Sequence, residues 1–162
     1  MDKDKNKIRV GVIGGGAAGM TAAISAAKMG ADVTILEGGE RVGKKILSTG
    51  NGKCNLGNLD LGAEDYQGAD RKWIAECLAE FGVQDTIRFF EGLGLMIKDK
   101  NGYLYPFSEQ AASVLDVLRI KLRSEGIKVV TGAKVETVQK NGNGFMVRSA
   151  GQKYYFDRVI LC

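Results

Sequence analysis

The sequence predicts an α/β fold, and three observations carry the prediction. Residues 10–37, VGVIGGGAAGMTAAISAAKMGADVTILE, have the form strand, glycine turn, small-residue helix, strand, acidic stop. Residues 158–162, RVILC, are an apolar run of the kind that fills the middle of a parallel sheet. Between them the period changes to two over residues 134–139, 145–149 and 153–156, separated by glycine turns, which reads as a three-stranded antiparallel meander. The expected architecture is a Rossmann-like parallel sheet with a dinucleotide-binding βαβ unit and an inserted three-stranded antiparallel β-meander.

The βαβ unit spans residues 8–37. Gly14, Gly16 and Gly19 fit G-x-G-x-x-G, and each has a mechanical reason. Gly14 permits the tight turn, Gly16 lets a pyrophosphate approach the backbone, and Gly19 lets the helix lie close to the sheet. The helix, residues 17–29, offers free N–H groups and a partial positive charge at its start. Ala18, Ala22, Ala23, Ala26 and Ala27 form its expected packing face, and Gly30 its C-terminal stop. Glu37 lies 18 residues beyond Gly19, where a carboxylate can accept hydrogen bonds from a ribose diol. A glycine turn alone often only connects elements. Its placement between strand and helix, with the acidic residue in position, points to dinucleotide binding.

Residues 38–62 follow as a long loop with seven glycines and four cations, Arg41, Lys44, Lys45 and Lys53. Glycine and positive charge together suit a backbone wrapped around a ligand with two phosphates. Next come helices at residues 71–81, with Asp70 as N-cap and Ile74, Leu78 and Phe81 on one face, and at 85–91, burying Ile87 and Phe90. A small hairpin is expected around Lys100, Asn101 and Gly102. Trp73, Phe89, Phe90 and Tyr105 read as core aromatics rather than cofactor-stacking rings. Ser108 can cap a helix through Glu125, with Ala111, Leu115, Leu118 and Leu122 as one apolar stripe. Residues 127–131 are the next buried strand. Residues 1–7, MDKDKNK, read as a charged, frayed tail.

Composition narrows the chemistry. The 162 residues are 44% apolar and 26% charged, ordinary for a globular domain. The net charge of +4 is modest and its cations are dispersed, which argues against a dedicated nucleic-acid surface and leaves affinity for anionic ligands reasonable. There is no histidine, so His triads and His-based metal sites are excluded within these residues. Cys54, Cys77 and Cys162 contain no C-x-x-C pair, and their odd number favours a reducing, cytoplasmic setting. The uncharged run at residues 10–27 follows several cations like a targeting or membrane segment, but five glycines interrupt it. No membrane association is expected.

The extended pattern of Gly14, Gly16, Gly19, Ala23, Gly30 and Glu37 is similar to FAD-binding flavoproteins of the glutathione-reductase-like fold. More specifically, RVGKKILSTGNGKCN at residues 41–55 and GYLYPFSEQAASVLDVL at 102–118 resemble the BaiN/aminoacetone-oxidase-type FAD-dependent oxidoreductases. The resemblance implies FAD as cofactor, with dioxygen or NAD(P) reoxidising it. It implies cofactor contacts from Gly14, Gly16, Ala17, Ala18 and Gly19 to the pyrophosphate, and from Glu37 to the adenosine ribose. Gly43, Lys44, Lys45, Gly50, Asn51, Gly52, Lys53, Cys54 and Asn55 would run along the pyrophosphate toward the flavin, and Val135 would meet the adenine edge. The sequence departs from its relatives at Gly38-Gly39, where Lys or Arg is common, and at Gly57, where Thr is expected. The resemblance also makes residues 8–162 the N-terminal part of an FAD-binding domain in a longer oxidoreductase. Two other readings stay open: an NAD-binding dehydrogenase domain, and a non-catalytic FAD-binding module. Catalytic residues are not assigned. Lys53 and Tyr105 are candidate proton-handling groups, although position favours a phosphate contact and a core aromatic. Cys54 reads as a packing residue ahead of a redox one.

Overall fold

In the computed structural model, which describes residues 7–68 and 70–162, the chain forms two compact units. One comprises the residues up to Lys45 together with Leu118–Cys162, the other Ile46–Val117. Of the expected tail, residues 1–6 lie outside the described residues. The elements begin with β1 (Arg9–Ile13), α1 (Ala17–Lys28), β2 (Asp32–Leu36), β3 (Gly57–Asn58), α2 (Arg71–Glu80), α3 (Val83–Glu91) and β4 (Ile97–Lys100). They continue with β5 (Tyr103–Pro106), α4 (Ala111–Ser124), β6 (Lys128–Val130), β7 (Val135–Asn141), β8 (Gly144–Ser149), β9 (Gln152–Phe156) and β10 (Arg158–Leu161).

The first unit is built on a four-stranded sheet in the order β10-β1-β2-β6, with every pairing parallel. Val12, Ile35 and Leu36 are buried there, as the near-continuous apolar strands require. Helix α1 ends in a Schellman motif. Gly30 takes a φ of 89°, its N–H donates to the Ala27 carbonyl, and that of Ala31 donates to Ala26. The buried face of α1 is Gly19, Met20, Ala23 and Ile24. The expected all-alanine face is therefore corrected: Ala18 is exposed, and two larger side chains fill the interface.

The meander folds as expected, with β7-β8-β9 antiparallel and a bulge between Val135 and Thr137. Leu36, Ala133, Val147 and Phe156 form its core against the parallel sheet. Gly11 makes that approach possible, because a β-carbon there would lie 2.4 Å from the Phe156 ring. Arg9 adds a clamp, its backbone N–H donating to Asp157 at 2.8 Å and its guanidinium at 3.1 Å. This pairing raises the Arg9 pKa and lowers that of Asp157. Among the described residues β10 pairs with β1 alone, and Leu161 is 70% exposed.

The second unit contains a small antiparallel sheet in the order β3-β5-β4. The β4–β5 turn is Asn101-Gly102 with φ of 55° and 84°, the primed geometry that matches strand twist. Asp70 caps α2 as expected, accepting from the Lys72 N–H at 2.9 Å. The face of α2 is narrower than the spacing implies. Ile74 is buried, but Phe81 is 53% exposed, and Trp73, expected in a core, is 62% exposed. α3 starts two residues earlier than expected. Gly82 is its N-cap, and Asp85 reaches back to accept the Gly82 N–H at 3.0 Å. Phe89 and Phe90 are half-buried and meet edge to face at 5.2 Å. In α4 the predicted stripe of Ala111, Leu115, Leu118 and Leu122 is buried throughout, although the helix begins at Ala111.

Candidate functional site

The glycine turn between β1 and α1 opens onto a cavity of about 420 Å³, a common size for a ligand pocket. Gly14, Gly16, Ala17, Ala18, Gly19, Glu37, Gly43, Lys44 and Lys45 all line it, so nine of the sequence-proposed residues come together. Gly15, Arg41 and Cys162 complete the wall. The three motif glycines do three different things. Gly14 adopts a φ of 103°, which a side chain resists. A β-carbon on Gly19 would sit 1.9 Å from the Gly14 carbonyl oxygen, so α1 can approach the turn only without one. A β-carbon on Gly16 would meet nothing within 4 Å. It would instead project into open space at the start of the helix, where a ligand needs to come close.

No side chain caps α1, and its first turn carries no acidic residue. The N-terminal backbone donors are thus left to a ligand, and the helix dipole favours an anion there. Arg41, Lys44 and Lys45 add positive charge at the rim. The rim is held in place from both sides: the Gly43 N–H donates to the Gly15 carbonyl at 2.8 Å, and Arg119 donates to the Val42 carbonyl at 2.7 Å.

Glu37 is more constrained than its spacing alone indicates. One carboxylate oxygen accepts the Gly15 N–H and the other the Gly39 N–H, both at 2.6 Å. A carboxylate has about four acceptor positions, so ribose hydroxyls can still be accommodated. The Gly38-Gly39 departure now has a reason. Glycine at 39 lets the backbone fold onto Glu37, where an added β-carbon would lie 3.1 Å from the carboxylate.

Val135 does not line the cavity. It begins β7 beside the bulge and packs on the Leu36–Ala133 core. Gly50, Asn51, Gly52, Lys53, Cys54 and Asn55 belong to the second unit. There they form a tight coil in which Gly50, Asn51, Gly52 and Cys54 all have positive φ. Cys54 is buried, and Cys54, Cys77 and Cys162 are all unpaired, in keeping with a packing role for Cys54.

Lys53 and Glu109 form a cluster that sequence reasoning missed. The Glu109 carboxylate accepts from Lys98 at 2.6 Å and from Lys53 at 3.0 Å. Those two ammonium groups hold its carboxyl down to about 2, and Glu109 in turn raises Lys53. Glu109 has a φ of 52°. A left-handed conformation costs a side-chain-bearing residue about 1–2 kcal/mol, so the clamp is held against strain. The only sequence signal for it was the position of Glu109 inside the recognised 102–118 segment.

A family model described as the HI0933-like protein Rossmann domain matches residues 8–162. This chain belongs to the HI0933-like family. Membership bears out the flavoprotein resemblance carried by residues 41–55 and 102–118, and the Rossmann-like fold expected from the βαβ pattern. It supports FAD as the cofactor. Among relatives of this HI0933-like chain, a 3-dehydro-bile acid delta(4,6)-reductase from Clostridium scindens is 48% identical over 94% of the chain. A ribosomal RNA dihydrouridine synthase from Haemophilus influenzae is 30% identical over 85%. The chain spans 38% and 34% of the lengths of these two proteins. Among solved structures, a 3-ketosteroid-delta4-(5alpha)-dehydrogenase from Rhodococcus jostii RHA1 shares the fold at a TM-score of 0.69. It is 18% identical, over 98% of this chain and 47% of that one. THI4 from Thermovibrio ammonificans shares it at 0.59, with 16% identity over 94% of this chain and 56% of that one. Among the described residues, no helix is long and apolar enough to cross a membrane.

Proposed function

We propose that this chain is the FAD-binding part of a flavin-dependent oxidoreductase that reduces a ring carbon–carbon double bond in a small organic substrate. The observation that carries the cofactor reading is the cradle itself. The open position at Gly16, the uncapped helix and the cationic rim fit a diphosphate, and Glu37 fits the ribose beside it. Gly14–Gly19 would hold the pyrophosphate through the backbone, with Lys44 and Lys45 neutralising it. The part proposed for residues 50–55 and Val135 rests on the resemblance. Bound there, a flavin supplies the hydride-equivalent chemistry, while the chain contributes binding, orientation and charge.

The reaction class is supported by the names of the two relatives, both of which describe hydrogenation of a ring double bond. At 48% identity the bile-acid reductase weighs more, and it favours a small steroid-like acid. The dihydrouridine synthase favours a second reading, in which the ring is a uracil in RNA. NADH or NADPH is the proposed electron source, dioxygen the alternative electron acceptor, and three unpaired cysteines support a reducing, cytoplasmic setting. Residues 8–162 would form the N-terminal part of the FAD-binding domain, in keeping with the share of its relatives that the chain spans.

The test is spectroscopic. The intact protein should show oxidised-flavin absorption, bleach anaerobically with NADH or NADPH, and recover colour with a 3-oxo-4-ene steroid acid. Recovery with uridine-containing RNA alone would select the second reading. A colourless protein that binds NAD would overturn the cofactor assignment.

A further inference from the structure

One face of the β4–β5 hairpin has chemistry that the cradle does not use. Cross-strand partners share a face, so the register Lys98↔Tyr105 and Lys100↔Tyr103 places two lysines and two tyrosines on one side. The intervening residues Leu104 and Pro106 are buried on the other. Lys53 and Glu109 stand beside the polar face, and with Lys100, Asn101, Tyr103 and Tyr105 they line a cavity of about 200 Å³.

The charges in this cluster do not cancel. Glu109 is shared between Lys53 and Lys98, so one carboxylate faces two ammonium groups. Lys100 adds a third cation at the cavity wall. The phenol hydroxyls and the Asn101 amide supply neutral donors, and the two tyrosine rings supply a flat apolar surface. A cavity of ~150 Å³ accommodates a benzene ring, so this one admits a single ring with a charged group attached.

We propose that this cavity is a binding site for an organic anion, specifically a carboxylate carried on a flat ring. Lys100 and Lys53 meet the carboxylate and the tyrosine rings cover the body. Glu109 is a built-in counter-ion that holds Lys53 in place and competes with the ligand for it. Lys53 is also among the proposed cofactor contacts, whereas Lys100, Asn101, Tyr103, Tyr105 and Glu109 are not, so variants at Lys100 and Tyr103 test this site separately from the FAD assignment.

The experiment is calorimetric titration of the intact protein, with whatever cofactor it retains, using benzoate as probe and benzamide and inorganic phosphate as controls. Benzoate should bind saturably and at least about tenfold tighter than benzamide, a difference of about 1.4 kcal/mol. Phosphate, which cannot use the rings, should bind more weakly than benzoate. Lys100 and Tyr103 are both exposed, so Lys100→Gln and Tyr103→Ala leave the fold in place, and each should weaken benzoate several-fold. Glu109→Gln should tighten it by removing the competitor. The opposite signs separate ligand binding from a merely structural role. Absent saturation, equal binding of benzamide or phosphate, unchanged affinity in Lys100→Gln and Tyr103→Ala, or weaker binding in Glu109→Gln would each overturn the proposal.

Discussion

The two units solve the problem of holding a charged ligand in opposite ways. In the first, the cradle works largely through missing side chains: backbone donors, a helix terminus and three glycines define it, with side-chain charge confined to Glu37 and the cations at the rim. In the second, side chains do everything, with Glu109 strained between two lysines beside two tyrosines. A backbone site is defined by space, so it should be sensitive to added volume. A side-chain site is defined by charge, so it should be sensitive to protonation.

The strongest way to break this contrast is to add one methyl group at two neighbouring glycines. Gly19→Ala places a β-carbon against the Gly14 carbonyl and should cost about 3 kcal/mol, measured by denaturant unfolding. Gly16→Ala meets open space, so its stability should change by less than about 1 kcal/mol. Its dinucleotide affinity should nevertheless fall by about tenfold, or 1.4 kcal/mol. If both variants lost stability equally, the separation of turn, packing and ligand glycines would be wrong.

Glu37→Ala comes next. It removes the acceptor of the Gly15 and Gly39 N–H groups and should cost about 2 kcal/mol in the ligand-free protein. A thermal melt unchanged from the parent would show that Glu37 serves only the ribose.

Ser149 gives a smaller effect of the other sign. Its side chain is 1% exposed, and its hydroxyl has no hydrogen-bond partner among the described residues. Ser149→Ala removes an unsatisfied polar group and should stabilise the protein by up to about 1 kcal/mol. A loss of stability instead would reveal a partner for the hydroxyl.

The smallest effect belongs to the second unit. The Glu109 carboxyl titrates at about 2 when folded, below its ordinary value of 4.5. A depressed folded value stabilises the fold above the ordinary value, and that contribution is lost as pH falls from 4.5 toward 2. Because the group is solvent-screened, the change is slight. Comparing acid unfolding of the parent with Glu109→Gln should show curves that diverge above that window and converge below it.

How legible each unit was in the sequence follows from the same contrast. The cradle rests on local spacing. Gly14, Gly16, Gly19 and Glu37 lie within one βαβ unit whose geometry is nearly fixed, and all four line the cavity. The α4 stripe was readable for the same reason, since helical periodicity is local. The Glu109 clamp joins residues from a glycine coil, a hairpin and a pre-helical turn, and no periodicity links them. Trp73 and Phe81 misled because apolar spacing on α2 does not show how much surface the small second unit has available to cover them. The dual backbone contacts of Glu37 were hidden too, because they depend on how Gly38-Gly39 folds back.

The clamp between Arg9 and Asp157 has a consequence for how the molecule is made. The two residues are 148 positions apart, and β1 lies between β2, which follows it closely, and β10, which is synthesised at the far end of that separation. Pairings between distant segments form slowly, because chain entropy is lost before any contact compensates for it. During synthesis, β1 therefore carries its glycine turn with one flank uncovered until the meander and β10 have emerged. The glycine turn is made well before the strand that covers its flank. An edge left open that long is the surface on which a chaperone, or an early-arriving cofactor, has the most time to act.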